Sequence, residues 1–203
     1  MYGLQEIIGG KYLEQTSHHN EYEALEAQIR ECFGRVVYTH KTHEKMADIC
    51  HSNQSKIKIW QIVLSAILTC GLVVALVHDN TTSKYITIAI STFLLILSTY
   101  TKNFDLGGIA KEHQETATKL WNIRESYLSL LTDINSDNSI DISTARNNRG
   151  SLQKQLTIIY GGAPRCSQKA YKSAQNGLQF KEELTFSDKE IDMILPSPLR
   201  KNT

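Results

Sequence analysis

Two apolar runs interrupt an otherwise polar chain. The first, Ile59 to Val77, reads IWQIVLSAILTCGLVVALV; it carries no charge, and Gln61 is its one strongly polar member. The second, Tyr85 to Thr101, reads YITIAISTFLLILSTYT and is equally free of charge. A helix needs about 20 apolar residues to cross a hydrocarbon core roughly 30 Å thick, with about 17 as the lower limit. Both runs meet that limit, so the pattern predicts transmembrane helices over 57–77 and 85–101. The connector, residues 78–84, reads HDNTTSK and is short enough to force an antiparallel hairpin.

The polar flanks carry a finer periodicity. Upstream, Tyr22, Leu25, Ile29, Cys32, Val36, Thr39, His43, Met46 and Cys50 recur at alternating steps of three and four. That spacing is the a/d seam of a helix packed along another helix. The same phase runs on through Ile57, Trp60, Leu64 and Ile67 into the first apolar run. An unbroken helix from about residue 20 to 77 would be roughly 87 Å long at 1.5 Å per residue. Downstream, Leu106, Ile109, His113, Leu120, Ile123, Tyr127, Leu130 and Ile134 share a phase, and Ala110, Ala117, Trp121 and Leu131 broaden the stripe.

The expected organisation follows. An N-terminal segment, 1–19, precedes a cytoplasmic helix, 20–56, and the first span. The second span leads into a cytoplasmic helix, 102–134, which pairs with the first. Gly107 and Gly108 weaken that helix just beyond the membrane and mark a candidate hinge. Residues 135–142 form a polar loop. Two C-terminal helices share 143–184, parted by Gly161-Gly162-Ala163-Pro164, where glycine closes one helix and proline opens the next. Residues 185–203, with Pro196 and Pro198, form a loose tail. The fold class is an all-α membrane protein: a long antiparallel helical hairpin whose two spans continue into a cytoplasmic helical bundle.

Charge orients this hairpin. Lys41, Lys45, Lys56 and Lys58 precede the first span and Lys102 and Lys111 follow the second, whereas the connector holds Lys84 beside the acidic Asp79. By the positive-inside rule both termini are cytoplasmic and the connector lies outside. No cleavable signal peptide is visible, because the residues before the first span are too polar. Across all 203 residues the net charge is only +1, so no direct nucleic-acid partner is expected. Cys32, Cys50, Cys70 and Cys166 show no CxxC spacing, which argues against a disulfide framework.

Candidate chemistry is sparse. His40, His43 and His51 lie near one face of the first helix, beside Cys50. They fall on or next to the seam, so polar residues in a helix interface are the better reading than zinc ligands. The phosphate-binding, nucleophile-elbow and metalloprotease motifs are all missing from the sequence. No enzyme activity, cofactor or metal is therefore expected. Gln61, Ser65 and Thr69 recur every fourth residue on the first span, as do Thr87 and Ser91 on the second. Such a stripe lines a wet path when several hairpins assemble, or holds one hairpin together. From Ser143 to Lys181 the chain has no acidic residue but carries Arg146, Arg149, Lys154, Arg165, Lys169 and Lys172 along with Lys181 itself. This segment suits a phosphate-bearing ligand, an acidic partner or the anionic inner leaflet. It equally suits a basic face set against Glu21, Glu23, Glu26 and Glu31.

The order of elements resembles the SLATT domain proteins, two-transmembrane effectors associated with bacterial nucleotide-signalling and reverse-transcriptase defence systems. The resemblance rests on the run from His40 to Lys58, on Ala110, His113, Ala117 and Trp121 after the second span, and on Tyr160-Gly161-Gly162-Ala163-Pro164 followed by Tyr171 and Ala174. It covers about residues 20 to 180. It implies an oligomeric inner-membrane effector of anti-phage abortive infection that forms or gates a pore when infection is sensed. The implied partners are membrane lipid, further copies of the chain, and a nucleotide second messenger or a defence-system protein. No residue-level pore assignment comes with it. The alternative is a membrane-anchored scaffold that recruits a cytoplasmic partner through its seam or its basic C-terminal helices.

Overall fold

A computed structural model describes residues 2–78, 81–136, 140–196 and 200, with side chains from Asn20 onward apart from Leu76 and His78. Among these residues there are six helices and no strand: α1 (Tyr2–His78), α2 (Thr81–Asn103), α3 (Leu106–Ile134), α4 (Ile142–Gly162), α5 (Gln168–Phe180) and α6 (Asp188–Ile194). Helix α1 takes in the expected N-terminal segment from Tyr2. Of the expected connector, Asp79 and Asn80 lie outside the described residues, as do residues 137–139 of the polar loop. The chain divides into two compact units: residues 1–42 with 116–203, and residues 43–115.

The first unit is a helical bundle. Leu25, Ile29, Cys32 and Val36 of α1 pack with Leu120, Ile123, Tyr127, Leu130 and Ile134 of α3, and Ala145, Leu152 and Leu156 of α4 complete the core. The helices α1 and α3 are antiparallel: Asn135 donates to Glu26 at 3.4 Å, while further along His40 lies against Trp121, ring centroids 5.5 Å apart. The Tyr22 hydroxyl donates to the Ile140 carbonyl at 3.0 Å and ties the segment before α4 to α1. Asp141 caps α4 by accepting the Ser143 amide, and Ser167 caps α5 by accepting that of Ala170. Each cap satisfies a donor that the first helical turn leaves open. Helix α5 buries a face of small residues, Ala170, Ala174 and Gly177. After α5, Glu183 folds back over Gly177 and pairs with Lys41 at 2.8 Å, flanked by Glu182 and Leu184 at positive φ.

The sequence suggests a loose tail from residue 185, but the structure forms α6 there. Ser187 and Glu190 make a reciprocal capping box, which offsets the helix's short length.

The second unit is an antiparallel helix pair. On α1 the residues turned inward are Ile57, Gln61, Leu64, Leu68, Gly71 and Ala75; on α2 they are Ser83, Thr87, Ile90, Leu94, Leu97 and Thr101. Both sets alternate steps of four and three, the spacing of a two-helix seam. Gln61 reaches Thr101, and a Cβ added to Gly71 would lie 3.4 Å from the Thr87 hydroxyl, so numbering rises on one helix as it falls on the other. This seam keeps Ile57 and Leu64 of the one read from the sequence but has Gln61 and Leu68 where Trp60 and Ile67 were expected. Trp60 is 61% exposed and Ile67 49% exposed, both turned outward. The interface interleaves leucine and isoleucine with small and weakly polar residues, which let two helices approach closely where surrounding lipid is as apolar as leucine.

The junction after α2 also differs from expectation. The break falls at Phe104 and Asp105, before the two glycines rather than at them. Asp105 is the N-cap of α3, its carboxylate accepting the Gly108 amide at 2.9 Å. Gly107 and Gly108 belong to the first turn of that helix, and neither has a positive φ. A Cβ on Gly107 would meet the Gln54 amide at 2.5 Å, and one on Gly108 would meet the Asp105 carboxylate at 2.5 Å. The glycines serve close approach and capping at this point.

Candidate functional site

The hairpin of residues 43–115 leaves its apolar runs uncovered by the protein itself. None of the most apolar stretch of either helix is buried, and Ile62, Val73, Ile88, Leu95 and Ile96 project outward. A water-soluble protein rarely leaves a contiguous apolar surface of this extent open. Within the hairpin the polar candidates separate into two groups. Gln61 and Thr87 face the seam: Gln61 donates to Thr101 over a long 3.4 Å, and Thr87 donates to the Ser83 carbonyl at 2.8 Å. Ser65, Thr69 and Ser91 are exposed on the outer surface. Thr69 donates to the Ser65 carbonyl and Ser91 to the Ile88 carbonyl, each at 2.9 Å. Their protons are taken by the helix itself, so oxygen lone pairs are what they present outward.

Next to the apolar region, the same unit holds a buried pair of rings. His43 on α1 and His113 on α3 bring their Nδ1 atoms to 2.9 Å, with ring planes inclined at 42°. Two N–H groups cannot point at one another, so one ring donates and the other accepts. Burial pushes the His113 pKa down, and neighbouring Glu112 opposes that in part. His51 is exposed. Sequence spacing placed His113 on a seam, but nothing in it paired His113 with His43, seventy positions away.

In the bundle unit, the expected basic residues have two fates. Arg146 pairs with Glu21 at 3.2 Å, and Arg149 donates to Gln28 at 2.6 Å, so both fasten α4 to the polar side of α1. Lys154, Arg165, Lys169 and Lys172 are exposed. An open cleft of about 700 Å³ lies elsewhere on the same unit, lined by Glu31, Gly34, Arg35, Tyr38, Thr39, Tyr160 and Tyr171. Tyr38 and Tyr171 stack with centroids 6.2 Å apart, and Gln179 donates to the Tyr38 hydroxyl at 2.7 Å. Gly34 keeps the floor open, since a Cβ there would meet nothing within 4 Å. Its volume falls within the roughly 300–1,000 Å³ common for ligand pockets. Tyr160 and Tyr171 stand out in the sequence, but their convergence on Tyr38 does not. At the core, Tyr127 is fully buried, and its pKa is pushed up to about 12 by burial first and by neighbouring Cys32 second.

The family model for the SMODS and SLOG-associating 2TM effector domain, family 4, matches residues 25–190. The chain belongs to this family. Comparison with curated proteins gives no match, and neither does comparison with solved structures. The two transmembrane helices of this SLATT effector domain are the two helices whose apolar surface the protein leaves uncovered. It is an all-α integral membrane protein, of a family of membrane effectors tied by description to the SMODS and SLOG domains. The match spans the hairpin and most of the bundle, from Leu25 in its core to Glu190 in α6.

Proposed function

We propose that this SLATT protein is a non-catalytic effector of bacterial anti-phage defence that acts by permeabilising the inner membrane as an oligomer, with both termini in the cytoplasm. The observation that carries this reading is the outward placement of Ser65, Thr69 and Ser91 on a hairpin surface that is apolar apart from these and Thr92, Ser98 and Thr99. One hairpin encloses nothing, so these oxygens line a path only when several hairpins assemble around it. Assembly also removes them from lipid, where polar groups are disfavoured. The lysines flanking the spans favour cytoplasmic termini. Activation leads to loss of the ion gradients and arrest of the infected cell. Full-length protein reconstituted into dye-loaded liposomes tests the proposal. Release that rises steeply with protein density supports it, and sealed vesicles containing cross-linkable oligomers refute it.

A second reading is favoured by the tyrosine cleft. Three aromatic rings in the cleft, where Arg35 is paired with Glu31 at 2.6 Å, suit a planar partner, and exposed Arg165, Lys169 and Lys172 on the same unit suit an acidic one. A nucleotide second messenger or a defence-system protein fits that description. In this reading the chain is a membrane-anchored scaffold, and the liposomes stay sealed with or without the partner.

A further inference from the structure

At the α2–α3 end of the hairpin, a cleft of about 270 Å³ opens between the two membrane helices, lined by Gln54, Ile57, Lys58, Gln61, Thr101, Lys102 and Leu106. Its position is fixed by the sequence: Lys58 directly precedes the first apolar run, and Lys102 directly follows the second. The cleft therefore sits where hydrocarbon gives way to the headgroup layer. Exposed Trp60, Tyr100 and Phe104 mark the same level, as aromatic residues do at membrane interfaces.

The lining has one sign of charge. Both ammonium groups are exposed, and among the described residues neither has an ion-pair partner. No carboxylate lines the cleft. Asp105, the acid closest to Lys102 in sequence, is engaged with the Gly108 amide at the start of α3. The polar floor is built from within: Gln61 donates to Thr101, and Thr101 donates to the Ser98 carbonyl at 3.0 Å. Gly107 makes room for the Gln54 amide, which a Cβ would strike at 2.5 Å. Ile57 and Leu106 supply apolar walls. A volume several times the roughly 30 Å³ share of a water molecule admits a phosphate group.

We propose that this cleft is a binding site for the phosphate of an anionic phospholipid. Two ammoniums and two side-chain amides converge on the phosphate, and the acyl chains run along the apolar surface of the hairpin. A soluble phosphate would satisfy the ammoniums alone, whereas a lipid also covers Ile57 and the apolar residues leading away from it. Basic clefts between membrane helices at the headgroup level are suited to such lipids, and each lysine near the surface adds to the attraction.

The test uses full-length protein in neutral detergent, with phosphatidylglycerol or phosphatidylcholine added and bound lipid counted by native mass spectrometry. Phosphatidylglycerol is expected to bind at least about tenfold more tightly than phosphatidylcholine. The double variant Lys58→Gln, Lys102→Gln is expected to lose that preference while keeping its helical circular dichroism. The double variant Lys58→Arg, Lys102→Arg keeps the preference, and so does Lys84→Gln at the opposite end of the hairpin. Equal binding of the two lipids by the wild type overturns the proposal, as does a preference that survives in the double glutamine variant. Displacement of the lipid by millimolar glycerol phosphate also overturns it, since the site would then be one for soluble phosphate. None of these outcomes depends on whether the protein conducts ions.

Discussion

His43 and His113 face each other with their Nδ1 atoms 2.9 Å apart, both rings buried between helices that otherwise pack through apolar and small residues. The pair works only while at least one ring is neutral, because a doubly protonated pair would set two N–H groups and two charges against each other. Burial already holds His113 below its ordinary value, and Glu112 offsets this only in part.

That relationship predicts a sensitivity to acid. The unfolded chain binds a proton at His113 near pH 6.5, while the folded chain binds it only at lower pH. The folded state thus holds fewer protons, and its stability is complete above pH 6.5 and lost as pH falls through the depressed value. Thermal midpoints of detergent-solubilised protein should fall between pH 7.5 and 5. The double variant His43→Leu, His113→Leu should show a clearly flatter profile. An unchanged slope would place the acid sensitivity elsewhere.

The outer hydroxyl face and the seam predict opposite outcomes. Ser65→Ala, Thr69→Val and Ser91→Ala together should lose most of the dye release while leaving chemical cross-linking between copies intact. Gln61→Leu should keep release and cost the hairpin only about 0.6 kcal/mol, the mean for a polar contact between membrane helices. Loss of release in Gln61→Leu alone would move the path into the seam.

At the start of α3, Asp105→Ala should destabilise the protein by about 1 kcal/mol, and Asp105→Asn by much less, since asparagine also caps. Gly108→Ala forces the same carboxylate aside. The two alanine substitutions should therefore combine to less than the sum of their separate effects, read from unfolding midpoints.

The turn after α5 offers a further check. Lys41 and Glu183 are only 12% and 28% exposed, so Glu183→Gln, which takes the carboxylate from a nearly buried ammonium, should cost about 1–3 kcal/mol. Glu182 has φ 50°, a conformation glycine adopts freely, so Glu182→Gly should be close to neutral and Glu182→Val clearly destabilising. Equal effects of the two would mean that the backbone at this position is not held as described.

What the sequence disclosed follows the solvent. In the bundle, Leu25, Ile29, Cys32 and Val36 were legible as a seam because water penalises their exposure. In the membrane the same reading chose Trp60 and Ile67 over Gln61 and Leu68, since lipid does not penalise exposed apolar residues and the phase loses its meaning. The capping box at Ser187 and Glu190 is a local signal at a spacing of three residues, set close to Pro196, which by itself points to a loose tail. The histidine pair and the tyrosine cleft were invisible for another reason: each joins residues far apart in the chain, and no local pattern encodes which of them meet.

Permeabilisation by assembled hairpins is tested most directly by electrical recording from a planar bilayer containing the full-length protein at densities where cross-linking detects oligomers. Discrete conductance steps are expected, becoming more frequent faster than linearly with protein density and vanishing in the Ser65, Thr69 and Ser91 triple variant. A bilayer that stays silent while it contains those oligomers would contradict permeabilisation.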